Sequence, residues 1–262
     1  MDKVAVVTGA SSGIGRETAL LLSQKGYRVY DFSRHGASEG AVRHLTVDIT
    51  DENQVKEAFA ELFSETGRLD LLVNNAGMGI SGAIEFTEVE EAKNILDVNF
   101  FGTFICVKEG LKYLRQSPDA QIINVSSAAA IFAIPYQSFY SASKSAQNAL
   151  TLALASELRP FDIRVNAVMP GDVHTGFTAA RRKNEAGQEF YGQSIHGAVA
   201  VMEKDETTGM HPQKIAQAIY KVSRKKCTGK LFTVGGKYKV AVFLTRFLPG
   251  GLVNKLVANM YR

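Results

Sequence analysis

Lys3-Val4-Ala5-Val6-Val7 runs straight into Thr8-Gly9-Ala10-Ser11-Ser12-Gly13-Ile14-Gly15, and from Gly15 to Lys25 apolar residues recur at helical spacing. The order is strand, glycine turn, helix. Three glycines at such a junction serve a tight turn, a close backbone approach to a phosphate-bearing ligand, and close packing of helix on strand. The unpaired N–H groups and the positive pole of the helix then face the anion. The spacing is Gly-x3-Gly-x-Gly rather than the commoner Gly-x-Gly-x-x-Gly, so the glycines alone would mark only a turn. Their place between a strand and a helix makes the stretch a phosphate loop. Gly9, Ser11, Ser12, Gly13, Ile14 and Gly15 are its candidate binding residues.

The same alternation repeats downstream. Arg28–Phe32, Leu45–Val47, Leu71–Asn74, Gln121–Val125, Ile163–Val168 and Leu231–Val234 read as strands. Glu52–Phe63, Val89–Arg115, Phe139–Leu158 and Pro212–Val222 read as helices. Strands alternating with helices imply right-handed crossovers and a doubly wound α/β fold, a mostly parallel sheet with helices on both faces. The near-continuous apolar character of the strands agrees, since both their faces would be buried. No repeat or Gly/Ser-rich linker divides the chain, so residues 1–262 are read as a single domain.

Composition narrows the class. With 45 % hydrophobic and 21 % charged residues, a collagenous, disordered or coiled-coil protein is excluded. The two cysteines, Cys106 and Cys227, rule out a disulfide scaffold and fit a reducing, cytoplasmic setting. Val4–Val7 is too short for a signal-peptide core, and no stretch approaches the ~20 apolar residues that span a bilayer. The net charge of +4 is modest, and no nucleic-acid partner is expected. His35, His44, His174, His196 and His211 read as surface or loop residues, never at metal-ligand spacing with carboxylates or cysteines, so no metal is expected.

Four further motifs follow in order: Asn74-Asn75-Ala76-Gly77, Ser126-Ser127, Tyr140-Ser141-Ala142-Ser143-Lys144 and Pro170-Gly171. Together with TGASSGIG, and with Asn99 between the first two, they resemble the short-chain dehydrogenase/reductase family from about residue 3 to about 175. The resemblance implies a Rossmann-like fold and hydride transfer between a nicotinamide ring and a carbonyl carbon. It implies a catalytic set of Asn99, Ser127, Tyr140 and Lys144. Chemistry independently supports the last pair: four residues apart on a helix, they share a face. A tyrosine titrates near 10 when free, and a neighbouring ammonium is expected to lower that value toward use as a general acid. The family's serine stands thirteen residues before its tyrosine, which selects Ser127 over Ser126. Asn99, by resemblance, would hold a water linking Lys144 to solvent.

For the cofactor, the resemblance adds Asn75, Ala76, Gly77, Tyr140, Lys144, Pro170, Gly171, Val173 and Thr175, the last two against the nicotinamide carboxamide. Asp48, with Ile49 beside it, resembles the family's adenine-contacting position. Users of NAD place an acid at the end of the second strand, and users of NADP a cation nearby. The family's discriminating acid stands seven residues beyond Gly26, which is Ser33 here, followed by Arg34. Asp31 is two positions early and would need a slipped register. NADP(H) is therefore favoured over NAD(H).

The remaining expectations concern substrate and assembly. The sequence is most similar to the branch acting on hydroxysteroids, retinoids and other apolar ketones. Ala128–Ile134 is read as one wall of an apolar pocket or as simple core. Residues 171–210, weakly periodic, are read as a substrate lid at the carboxyl end of a strand, the alternative being a surface excursion. Residues 240–262 form an apolar amphipathic tail, with Asn254, Lys255, Asn259 and Arg262 on its polar face. It would pack on its own domain or a sister subunit, peripheral membrane contact being the less favoured outcome. A homodimer or homotetramer is expected. Two alternatives stand beside the ketone reductase. One is a reductase of 3-oxoacyl groups on an acidic carrier protein, received by Arg181-Arg182-Lys183. The other is a non-catalytic NADP(H) sensor.

Overall fold

The apolar runs pair side by side, as expected of strands buried on both faces. The computed structural model describes residues 2–261. In chain order the strands are β1 (Lys3–Thr8), β2 (Tyr27–Ser33), β3 (Val42–Thr46), β4 (Leu71–Asn74), β5 (Ile80–Ser81), β6 (Gln121–Val125), β7 (Arg164–Pro170), β8 (Arg182–Lys183) and β9 (Lys230–Val234). Seven of them form one sheet in the order β3-β2-β1-β4-β6-β7-β9, every pair parallel. The chain winds outward from β1 in one direction to β3 and in the other to β9. The winding therefore reverses between β1 and β4, the position at which open α/β sheets bind ligands beyond their carboxyl ends.

The early helices are α1 (Gly13–Gln24), α2 (Glu52–Thr66), α3 (Val89–Leu96), α4 (Gly102–Leu114) and α5 (Ser138–Glu157). The later ones are α6 (Phe177–Ala180), α7 (Gln188–Tyr191), α8 (Ser194–Thr207), α9 (Pro212–Ser223), α10 (Gly236–Leu244) and α11 (Gly250–Met260). Two apolar layers result. One holds Phe59, Leu62, Tyr113 and Leu154 from α2, α4 and α5 against Val4, Val6, Leu72 and Ile122 of the sheet. The other holds Ala19, Leu22, Ile215 and Ile219 from α1 and α9 against Ala5, Val7, Val73 and Ile123. This is the expected doubly wound architecture in a single domain.

Three differences from expectation have local causes. The helix read over Val89–Arg115 is broken by a π turn at Asp97–Phe101 between α3 and α4. There the buried Asn99 side chain accepts from the Met78 N–H at 2.8 Å and donates to the Met78 carbonyl at 3.0 Å. Widened turns of this kind recur at functional sites. The 171–210 segment carries α6, β8, α7 and α8, and β8 pairs with β5. Its two ends are tied together, His174 N to the Met210 carbonyl at 3.0 Å and Met210 N to the Asp172 carbonyl at 2.9 Å. Finally, the tail folds as two helices, α10 and α11, separated at Pro249. Arg262 lies outside the described residues. Among those residues no helix is long and apolar enough to cross a membrane.

Candidate active site

The phosphate loop leaves β1 at Thr8 and opens α1 at Gly13. Gly9 sits at φ +67°, a left-handed conformation that favours glycine. The Thr8 hydroxyl accepts the N–H groups of Asn75 at 3.0 Å and Ala76 at 2.9 Å. The Asn75 amide returns a bond to the Thr8 carbonyl at 3.0 Å, fixing the end of β4 to the loop. Ser12, before α1, makes no capping bond with its side chain, which leaves the first N–H groups of α1 open toward a ligand anion. These are the features a pyrophosphate requires.

Of the residues expected to bind cofactor or carry catalysis, all but Gly15 and Asn99 line one cavity of about 860 Å³. Gly15 lies behind the loop, where its role is packing rather than contact. A Cβ there would meet the Gly9 carbonyl and lie 2.5 Å from Asn75 Nδ2. Asn99 is likewise set back, its amide consumed by Met78 and by Ser143 Oγ at 3.0 Å.

The two candidate serines both line the cavity and differ in what their hydroxyls bond. Ser126 Oγ donates to the Lys144 carbonyl at 3.2 Å and ties β6 to α5. Ser127 lines the cavity, its Oγ accepting from Ala129 N at 3.1 Å. Tyr140, also on the cavity wall, packs its ring against Phe177 of α6, centroids 5.7 Å apart and planes tilted by 54°. Burial pushes its phenol above the ordinary tyrosine value, Glu206 and Asp172 act in the same direction, and Ser127 and Arg181 oppose them. The sequence expectation of a phenol lowered by Lys144 therefore fails for the chain by itself. Burial outweighs the opposing groups, and the Lys144 ammonium is not among them. Lys144 moves the other way, lowered to about 8 by burial. Its ammonium donates to the Val125 carbonyl at 3.0 Å and to Gln147 Oε1 at 3.3 Å, and among the described residues no carboxylate pairs with it. Gln147 in turn donates to Thr103 Oγ1 at 2.9 Å, which donates to the Asn99 carbonyl at 3.1 Å. Lys144 and Asn99 are thus joined by a buried relay that the sequence did not disclose.

At the second strand the register runs without a slip, Val7 opposite Asp31 and Thr8 opposite Phe32. Asp31 faces away from the cavity: it accepts from Ala10 N at 2.8 Å and Ser33 Oγ at 2.7 Å, and pairs with His44 Nδ1 at 2.9 Å. His44, read as a surface histidine, is in fact a half-buried partner of this carboxylate on β3. Arg34 lines the cavity and has no ion-pair partner among the described residues. Asp48 lines it too, with one oxygen held by the Thr50 N–H and hydroxyl at 2.9 and 2.7 Å.

Ala128, Ala129, Phe132 and Ile134 from the expected stretch give the cavity an apolar lining. Three carboxylates that sequence analysis did not single out also line it: Asp172, Asp205 and Glu206. Glu206 pairs with Arg181 and accepts from Thr178 Oγ1 at 2.6 Å. Asp172 is bonded by Tyr238 and by Lys237, the latter at 3.2 Å. Burial raises its carboxyl above the usual range, and Asp205 and Glu206 add to the shift. Asp205 itself has no ion pair among the described residues. The run Arg181-Arg182-Lys183 is not a free basic patch: Arg181 is buried on Glu206, Arg182 pairs with Glu91 at 2.5 Å, and Lys183 pairs with Glu203. Among the described residues no group of histidine, cysteine and carboxylates could hold a metal.

A crevice of this build, a phosphate loop at the reversal of a parallel sheet with serine, tyrosine and lysine beside it, defines an oxidoreductase. Within that class the chain belongs to the short-chain dehydrogenase/reductase family, whose model, described as short chain dehydrogenase, matches residues 3–186. It is 44 % identical over 227 residues to the 3-ketodihydrosphingosine reductase of Bacteroides thetaiotaomicron, covering 86 % of this chain and 84 % of that protein. Among solved structures, ligand-free aldohexose dehydrogenase of Thermoplasma acidophilum matches with a TM-score of 0.78 at 32 % identity, over 91 % of this chain and 94 % of that one. ElxO with NADP bound matches with a TM-score of 0.75 at 28 % identity, over 92 % and 100 % of the two chains.

Proposed function

We propose that the chain is an NADP(H)-dependent reductase of a long-chain apolar ketone, with an amino ketone of the 3-ketodihydrosphingosine type as first substrate. The observation that carries this is one continuous cavity. It holds the glycine loop, Ser127, Tyr140 and Lys144 together with an apolar wall of Ala128, Phe132 and Ile134 and three carboxylates, two of which, Asp172 and Glu206, act on the Tyr140 phenol. An alkyl chain suits the wall. An ammonium beside the ketone suits Asp205, the one of the three with no ion-pair partner among the described residues. The 44 % identity to a reductase of such a ketone supports the same reading.

When bound, the nicotinamide ring supplies the hydride. Tyr140 Oη gives its proton to the carbonyl oxygen, and Ser127 Oγ donates to that oxygen as negative charge develops on it. Lys144 holds positive charge beside the phenolate left behind and would grip the nicotinamide ribose. The Gln147–Thr103–Asn99 relay keeps the ammonium oriented. Residues 171–210 act as the lid, with Phe177 on Tyr140 and the Arg181–Glu206 pair as its clamp.

The discriminating experiment follows NADPH oxidation with 3-ketodihydrosphingosine, its N-acetyl derivative, and steroid, retinoid and 3-oxoacyl thioester panels. Turnover is expected to be fastest with the free amine, and acetylation should lower kcat/KM by roughly tenfold or more. Equal rates with and without the ammonium would remove the carboxylate argument.

Two further outcomes test the assignments. Because Lys144 titrates near 8, kcat/KM for ketone reduction should fall as the pH rises through that value and the ammonium is lost. In Lys144→Arg the break should vanish from the accessible range, on a lower plateau. A break unmoved by that substitution would assign it to another group. Arg34→Ala should weaken NADPH by roughly 10- to 150-fold, the range for a lost charged hydrogen bond of about 1.5–3 kcal/mol, and NADH only slightly. Fluorescence titration of the two cofactors checks it, and equal losses would reject the NADP(H) preference.

A further inference from the structure

The tail carries large apolar side chains on its outer surface. Phe243 is 55 % exposed and Phe247 70 %, their rings paired at 5.3 Å, and no residue of α10 is fully buried. Val240 and Leu252 extend the same exposed apolar character. Solvated monomers rarely leave so dense a set uncovered, and such patches mark contact surfaces.

Two independent observations identify what covers it. The first is charge. From residue 207 to the C-terminus the chain holds eleven of its 30 Lys and Arg and none of its 26 Asp and Glu. Lys239, Arg246 and Lys255, interleaved with the apolar residues of α10–α11, are exposed and have no ion-pair partner among the described residues. Cations that flank exposed aromatic and aliphatic groups are the composition of a helix lying on an anionic lipid surface. The second is continuity with the cavity. Leu244, Leu256 and Met260 line it and yet are 46 %, 50 % and 63 % exposed, so the apolar outer surface runs into the cavity mouth. Val257 and Tyr261 carry the same wall inward.

We propose that α10 and α11 dock this protein on an anionic membrane surface, with Phe243 and Phe247 entering the acyl boundary and Lys239, Arg246 and Lys255 meeting the headgroups. The cavity mouth then opens at the lipid surface, so that an amphiphilic ketone enters without crossing water. The docking stands by itself, and only the delivery of a lipid ketone rests on the proposed function.

The test is co-sedimentation of the full chain with vesicles of phosphatidylcholine alone and of phosphatidylcholine mixed with phosphatidylglycerol. The wild type should sediment with the mixed vesicles and be released by salt. Phe243→Ser/Phe247→Ser should weaken binding by roughly tenfold or more while leaving turnover of a short-chain ketone in buffer unchanged. Lys239→Glu/Arg246→Glu, which keeps the apolar face, should abolish the preference for anionic vesicles. Wild type left in the supernatant with both vesicles, or variants that sediment as wild type does, would overturn the proposal. So would a wild-type dimer that dissociates in Phe243→Ser/Phe247→Ser without any vesicle binding, since the face would then belong to a second copy. Vesicle binding without turnover of the amino ketone supports the docking and overturns the substrate reading alone.

Discussion

Tyr140→Phe is expected to cut turnover by roughly 10²- to 10⁴-fold, the range attributable to a positioned general acid, while NADPH binds nearly as tightly as before. The substitution removes one oxygen and keeps the ring. The tilted ring contact with Phe177 at 5.7 Å is retained, so the lid keeps its seat. Ser127 Oγ still holds Ala129 N, so the turn after β6 is not released. What disappears is the proton that must reach the substrate oxygen in the transition state. A raised phenol is well suited to the reductive direction, because it stays protonated across the neutral range. Rapid-mixing measurement of NADPH oxidation, beside a fluorescence titration of NADPH, separates the two quantities. Turnover within a few-fold of wild type would remove Tyr140 as the acid and leave the non-catalytic sensor as the better account.

The fold was legible because its strands are buried on both faces. Leu71–Asn74 and Gln121–Val125 are uninterrupted apolar or small-polar runs between polar loops, and they coincide with β4 and β6. Tyr140 and Lys144 were legible because four residues is one helical turn wherever a helix forms. The π turn was not, because nothing local breaks the pattern at Asp97–Phe101. The break accompanies the bonds of Asn99 to Met78 and Ser143, residues 21 and 44 positions away. α8 escaped for a related reason. Only Ile195, Ala198 and Met202 are buried along it, and Gly197 sits in its first turn, so its periodicity is weak. Arg181 looked like one of three surface cations, and only the folded chain brings Glu206, Glu91 and Glu203 to the three. The pKa values were misjudged for the same physical cause. Spacing along a helix shows which groups are neighbours, but burial, which dominates both shifts, is a property of everything packed around them.

Gly15→Ala should be strongly damaging, although Gly15 lies outside the cavity. Its φ is not in the left-handed region, so a backbone argument predicts a mild effect. Space predicts the opposite. The added Cβ would collide with the Gly9 carbonyl and stand 2.5 Å from Asn75 Nδ2, and neither neighbour can yield cheaply. The Gly9 carbonyl belongs to a residue whose own Cβ position is already closed off by Ala76 Cα at 2.9 Å. Asn75 Nδ2 is committed to the Thr8 and Gly9 carbonyls at 3.0 and 3.3 Å. Relief requires α1 to back away from β1, which strains packing at about 1–3 kcal/mol and loosens hydrogen bonds worth about 0.5–1.5 kcal/mol each. A total of about 3–5 kcal/mol lowers the melting temperature by roughly 6–20 °C in a chain of this size. The same displacement moves the N–H groups of α1 away from the phosphate position, so NADPH should raise the variant's melting temperature much less than it raises the wild type's. Thermal unfolding with and without NADPH reads both effects together. A variant that melts like wild type and gains as much from NADPH would mean that the loop and helix are not held at the separation described here.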